Sequence, residues 1–170
     1  MELTAIKDKQ YTSFLNQFPD HTRLWIYQSE RKLTAAECEQ LKMELNSFVE
    51  RWASHSVNLM ATGDVLMSAF IVLGVDESAK GASGCSIDSS VHFVKQLSHS
   101  LGVDFMNRMI FTYWQNDEVH FASREAFTQL YNAGKISDET IVFDTLVKNK
   151  ESFVKSFTKK LADSWHARMI

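Results

Sequence analysis

The chain has 170 residues, 45% of them hydrophobic and including 12 Phe, with 18 Lys and Arg against 21 Asp and Glu. That length and apolar content suit one domain over residues 1–170 with a substantial core, and they exclude a disordered chain. A net charge of −3 excludes generic binding to a phosphate backbone, so no nucleic-acid partner is expected.

The N-terminus, Met1 to Lys9, carries charges where a signal peptide needs an apolar run. Leu3, Ile6, Phe14, Leu15 and Phe18 have the spacing of an amphipathic helix within residues 1–20, with Tyr11 near its apolar edge and Pro19-Asp20 ending it. Arg23 to Gln28 contains Leu24-Trp25-Ile26-Tyr27, a short buried strand. Thr34 and Glu37 then form a capping-box pattern, with Leu33 before the cap and Cys38 where a hydrophobic staple would meet it. Cys38, Leu41, Leu45, Phe48, Val49 and Trp52 make one helical stripe.

Val57 to Ala61 and Val65 to Val75 are expected to be strands joined through Thr62-Gly63-Asp64. The second is apolar on both faces, as a central strand is, and is too short to cross a bilayer as a helix. After a glycine-serine loop, Ile87, Val91, Val94, Leu97 and Leu101 are the expected inward face of a helix closed by Gly102, with Val103 making the apolar contact beyond the cap. Met109 to Gln115 and Glu118 to Ala122 form a hairpin through Asn116-Asp117. Ser123 caps a helix carrying Phe127, Leu130 and Tyr131 and stopped at Gly134. A short strand over Thr140 to Phe143 precedes a final helix with Phe153, Phe157, Leu161 and Trp165 on one side. Lys148, Lys150, Lys155, Lys159 and Lys160 are its expected wet face rather than a basic patch. This order implies an α/β or α+β class: a mixed sheet of about five or six strands flanked by helices.

Gly81-Ala82-Ser83-Gly84-Cys85-Ser86-Ile87-Asp88-Ser89-Ser90 is the strongest candidate site. It joins a strand to a helix start, where free backbone N–H groups attract anions and the local field favours a thiolate over a thiol. Three readings of it stand side by side. Ser83, Gly84, Cys85, Ser86 and Asp88 can cradle a small anionic ligand without chemistry. Cys85 can be a nucleophile or redox thiol, opposed by the nearby Asp76, Glu77 and Asp88. The loop can also be an ordinary serine-capped turn with Cys85 a small buried residue beneath it.

Local sequence supplies Cys85 with no base, since His92 lies about two turns away, or ~10 Å along a helix. A phosphatase loop needs an arginine where Val91 stands, and Cys-x-x-Cys is absent. Asp76 and Glu77 are read as a solvated strand-end pair, and His92 and His99 as surface residues, so no metal site is expected. Ser29 and Arg31 form a second polar group, with Arg31 free to pair near Glu37. A right-handed crossover places that group at the opposite end of the sheet from Cys85. On the second hairpin, Phe111, Tyr113, Trp114 and Phe121 serve the core, or one face of them meets a partner. Trp165 is read as an anchor for the last helix.

Trp25-Ile26-Tyr27-Gln28-Ser29, Val75-Asp76-Glu77, the Gly81–Asp88 loop, and Gly134-Lys135-Ile136 with Thr140-Ile141-Val142-Phe143 resemble a family of small uncharacterised bacterial proteins. The resemblance runs from about Arg23 to the C-terminus, with residues 1–20 outside it. Members often carry the label "ABC transporter ATPase", and the resemblance implies no catalytic residue. The label needs a phosphate loop ending in Gly-Lys-Ser/Thr. Here Gly134-Lys135 is followed by Ile136, and Gln129 stands where the opening glycine belongs.

Together these features lead to a soluble, non-catalytic binding or interaction protein with a small anionic ligand at Gly81–Ser90 or a protein partner. The alternative is a cysteine-dependent enzyme or redox protein using Cys85. No cofactor, metal or membrane partner is expected, and two cysteines without a charge-free leader point to the cytoplasm.

Overall fold

The fold is that of a computed structural model, in which Ile6 and residues 10–170 are described. Of the helix expected within residues 1–20, Leu3 lies outside the described residues. Gln10–Leu15 is a short 3-10 helix that buries Leu15 and sets Tyr11 and Phe14 against Phe153.

The class is α+β. Nine strands fall in three sheets among the described residues, and every pairing is antiparallel. Strand β1 (Arg23–Gln28) and β4 (Met60–Leu66) flank β5 (Phe70–Asp76), which is the central strand and is buried on both faces. Ala53–Ser54 and Val57–Asn58 are β2 and β3, a two-stranded ribbon. The second main sheet has the order β7 (Glu118–Ser123), β6 (Ile110–Gln115), β8 (Ile141–Phe143), β9 (Thr158–Lys160). Tight turns require antiparallel pairing of the β2–β3, β4–β5 and β6–β7 hairpins, while β1–β5, β6–β8 and β8–β9 pair antiparallel across longer connections.

Alternation along β5 builds the layers. Ile71, Leu73 and Val75 face helix α1 (Ala35–Arg51) and helix α2 (Gly84–Leu101), where Leu41, Leu45, Phe93, Val94 and Leu97 complete one core. Phe70 and Val72 face the other way, onto Phe143, Phe153 and Phe157. Beyond the second sheet, Phe111, Tyr113 and Val142 pack on Phe127 of helix α3 (Arg124–Asn132) and on Leu161. The hairpin aromatics therefore serve the core: Phe111 and Tyr113 are buried, and Trp114 and Phe121 pack on the opposite cluster.

Several local expectations hold. Thr34 caps α1 with both halves of the capping box formed, and Cys38 packs on the first core. Gly102 closes α2 at φ 64°, with Val103 buried behind it. Asn116 and Asp117 turn the β6–β7 hairpin at positive φ, and Ser123 caps α3.

Others are corrected. Thr62-Gly63-Asp64 is not a turn but lies inside β4, paired with Gly74, Leu73 and Val72. Gly63 sits where a Cβ would meet Leu73 Cδ2 and the Val72 carbonyl at 3.1 Å and Leu45 Cδ2 at 3.3 Å, so β5 and α1 together leave little room for a side chain there. The chain turns instead at Met67 and Ser68, both at positive φ, and Val57 belongs to the separate ribbon that turns at His55 and Ser56. The inward face of α2 is rotated toward Ser86, Ser90 and Phe93, leaving Ile87 and Val91 half-buried. The Trp52 indole donates to the Ser86 carbonyl at 2.8 Å and so claims the serine side of the helix.

The expected last helix is only α4 (Lys150–Ser156). The chain then pairs with the open edge of β8 as β9, matching Ile141 with Lys160 and Phe143 with Thr158. Backbone pairing overrides a helical spacing that Phe153, Phe157 and Leu161 otherwise satisfy. The lysines are accordingly not one wet face: Lys159 reaches Asp144, Lys160 reaches Glu139, and Lys150 donates to the Phe18 carbonyl.

Candidate functional site

The Gly81–Ser90 loop leaves the C-terminal end of β5, as expected. Its polar groups are engaged by the protein itself. Ala82 N–H donates to Glu77 Oε2 at 2.8 Å, and Arg23 stands 3.8 Å from the other Glu77 oxygen. Ser83 caps α2 by accepting from Ser86 N–H. The Ser86, Ser89 and Ser90 hydroxyls donate to the carbonyls of Ser83, Ser86 and Ile87. Gly84, Cys85 and Asp88 are exposed, so Cys85 is not the buried residue beneath the loop that composition favours. The helix face carrying Ser86 and Ser90 turns inward, and Cys85, one position before Ser86, therefore turns out.

Asp76 accepts from both the N–H and the hydroxyl of Ser78, which together with His21 hold its carboxyl below the ordinary range. The acidic pair therefore braces its own loop. Ser29 lies at the far end of the sheet from Cys85, because Gln28 pairs with Phe70 while Arg23 pairs with Val75. Arg31 makes a bidentate pair with Glu37 at 2.8 Å, and the Ser29 hydroxyl closes a local turn onto Arg31. His92 and His99 are exposed. Among the described residues no group of three His, Cys, Asp or Glu is placed to hold a metal ion, and no helix is long and apolar enough to cross a membrane.

A different place has the form of a site. A cavity of about 130 Å³ lies between β1, the segment before β6, the turn after β8 and the C-terminal 3-10 helix Trp165–Arg168. Ile26, Tyr27 and Gln28 form one side, Phe105 to Arg108 with Ile110 a second, and Thr145, Leu146, Trp165 and His166 the rest. Neither cysteine and no carboxylate is among these lining residues.

His166 is its most unusual member. Only 2% of the residue is exposed, and its Nδ1 is buried without a hydrogen-bond partner. The ring stacks on Trp165, with centroids 3.8 Å apart, and meets the edge of Phe111 at 5.0 Å. Burial pushes its pKa down to about 4, against a smaller upward pull from Asp144. The imidazole is thus neutral at pH 7.

Asp144 sets this wall. Its Oδ1 accepts from the Trp165 indole at 3.0 Å and from Leu146 N–H at 2.9 Å, and its Oδ2 accepts from Lys159 Nζ at 2.7 Å. Across the cavity, Gln28 bridges two sheets, donating to the Ile110 carbonyl and accepting from Thr112 at 3.1 Å. Arg108 is exposed and has no carboxylate partner among the described residues. Burial raises the Tyr27 phenol, opposed by the Ser90 hydroxyl and the Arg108 charge.

The cavity combines an exposed cation, a neutral imidazole and apolar walls, the features of a small-ligand pocket. Sequence reading passes over Arg108, Asp144 and His166 because four distant segments supply the lining, and no local spacing joins them. The one available signal is Trp165, read from the sequence as an anchor for the last helix.

Compared with known proteins, the chain matches no family model, no curated protein and no solved structure.

Proposed function

We propose that this chain is a non-catalytic binding protein that holds a small organic anion in the cavity beside β1. The observation that carries the reading is that Arg108, which has no carboxylate partner among the described residues, lines a mostly apolar cavity that holds no carboxylate of its own. Anionic chemistry was the expectation for the Gly81–Ser90 loop too, but there Glu77 already occupies Ala82 N–H and the serines bond their own helix. The cavity is therefore the better seat. Two unpaired cysteines support a reducing compartment, consistent with a cytoplasmic protein.

Thermal shift against a panel of small carboxylates and phosphate esters tests the reading. A ligand at a hundredfold excess over its Kd stabilises by about 2.7 kcal/mol, and Arg108→Ala is expected to abolish that shift. A panel with no shift, or shifts unchanged by Arg108→Ala, refutes it.

The exposed Cys85 at the start of α2 supports the second reading, a thiolate enzyme or redox protein. Its test is the alkylation rate across pH in Cys38→Ala protein. A midpoint well below the usual ~8.5 supports a thiolate site, and an ordinary midpoint removes it.

A further inference from the structure

The cavity runs along a stretch of the β1 edge, Ile26 to Gln28, that no backbone group of the described residues pairs. Ser29 N–H donates to the Ala69 carbonyl at 2.7 Å, and the same register sets Tyr27 opposite Ile71 and Trp25 opposite Leu73. In an antiparallel ladder, residues bonded to the partner alternate with residues whose N–H and C=O point away from it. Trp25 and Tyr27 therefore bond β5, while Leu24, Ile26 and Gln28 present their backbone to the other side. Leu24 behaves accordingly: its N–H donates to the Lys148 carbonyl at 2.9 Å. Past Leu24 that cover ends. Among the described residues, no backbone group meets Ile26 or Gln28 on this side.

The lining of the cavity agrees. Ile26, Tyr27 and Gln28 all border it. Successive strand side chains point to opposite faces, so three residues in a row reach one space only along the edge. Two free N–H groups and two free carbonyls, about 7 Å apart along the strand, match the repeat of an extended peptide rather than a lone anion.

Resting on the reading of this cavity as an anion site, the geometry points to the carboxyl terminus of a peptide as its ligand. The last two residues add to β1 through Ile26 and Gln28, the terminal carboxylate meets Arg108, and the last side chain enters among Phe105, Met106 and Leu146. Strand addition gives affinity through the main chain, and the side-chain pocket selects the residue. Size limits what enters: about 130 Å³ is close to the ~150 Å³ cavity that holds a benzene ring, so one apolar side chain fits and a longer segment does not. The rest of the peptide lies over the mouth, where the lining residue Leu146 is 56% exposed. Charge complementarity fixes the polarity, because the cation at this cavity has no carboxylate of its own.

The test uses the full chain and N-acetylated pentapeptides ending in leucine or phenylalanine, followed by titration calorimetry and by the amide NMR shifts of Ile26 and Gln28. Expected is binding of the free-acid peptides with both amides shifted. Binding should weaken at least tenfold when the C-terminus is amidated, when the penultimate amide is N-methylated, or in Arg108→Ala protein. If hexanoate and 3-phenylpropanoate bind as tightly as the peptides and leave the two amides unmoved, the anion site survives and the peptide inference falls. If N-acetyl-leucine matches its pentapeptide, the ligand is a free acylated amino acid and the peptide inference again falls. If neither peptides nor simple carboxylates bind, the anion reading fails as well.

Discussion

Asp144→Asn is the most informative single change. Asp144 and Lys159 form a 2.7 Å ion pair whose side chains are only 10% and 22% exposed. Burial pushes the Asp144 carboxyl up, but its bonds from Lys159, Leu146 and Trp165 outweigh that and hold it below the ordinary range. The carboxylate thus joins β9, the turn after β8 and the C-terminal 3-10 helix. Breaking a buried pair from one side costs about 3–5 kcal/mol, because the remaining charge stays uncompensated. Asparagine keeps one acceptor for Trp165 and Leu146 but turns an N–H₂ toward Lys159, so a loss of about 2–3 kcal/mol is expected. For a chain of this size that lowers Tm by roughly 5–10 °C. Urea unfolding followed by tryptophan fluorescence measures it, for Asp144→Asn, Lys159→Met and the double variant. The cycle should return a coupling of about 1–2 kcal/mol. A loss under 0.5 kcal/mol, or strict additivity, refutes the claim that this pair fastens the C-terminal segment.

Other consequences are equally open to measurement. The His166 pKa is depressed in the folded state, to about 4, so its neutral burial contributes fully above the unfolded value near 6.5 and is lost as pH falls from there toward 4. Wild-type stability should drop by about 3 kcal/mol over that window beyond any drop in His166→Phe, and parallel pH curves for the two proteins would sink the assignment. Gly63→Val should destabilise by about 2–3 kcal/mol through overpacking, although valine is the better strand former by up to ~1 kcal/mol; a gain in urea midpoint would show that α1 does not press on Gly63. Ser68 holds φ 53° in the β4–β5 turn, so Ser68→Gly should stabilise by about 1 kcal/mol, and a loss would place the strain elsewhere.

Local chemistry made much of the fold legible. The capping box at Thr34, the glycine cap at Gly102, the Asn116-Asp117 turn and the unbroken apolar run of β5 are each decided within a few residues, so their physics is complete in the sequence. The opposition of Ser29 and Cys85 across the sheet holds, but through the antiparallel pairing of β1 with β5 and not through a crossover to the Val57 strand, which lies in the separate ribbon. What failed to show was wherever two segments met. Gly63 reads as a turn because glycine permits one, and only its pairing with Leu73 and the close packing of β5 and α1 around it explain it as strand. Phe153 to Leu161 has helical spacing, yet the free edge of β8 draws Thr158–Lys160 into a strand. Ser86 and Ser90 look solvent-facing until the Trp52 indole reaches the Ser86 carbonyl.

The candidate site divides the same way. Sequence alone determined a folded chain of mixed helix and strand, α/β or α+β, with a serine-capped helix start after its central strand, because caps, turns and apolar periods are local. Tertiary structure decided that the loop is self-satisfied and that Ile26, Arg108, Leu146 and His166 enclose a space beside an open strand edge. Those four residues are neighbours only after β1 and the second sheet dock, and hydrogen-bond vacancy is a property of surroundings that no single segment encodes.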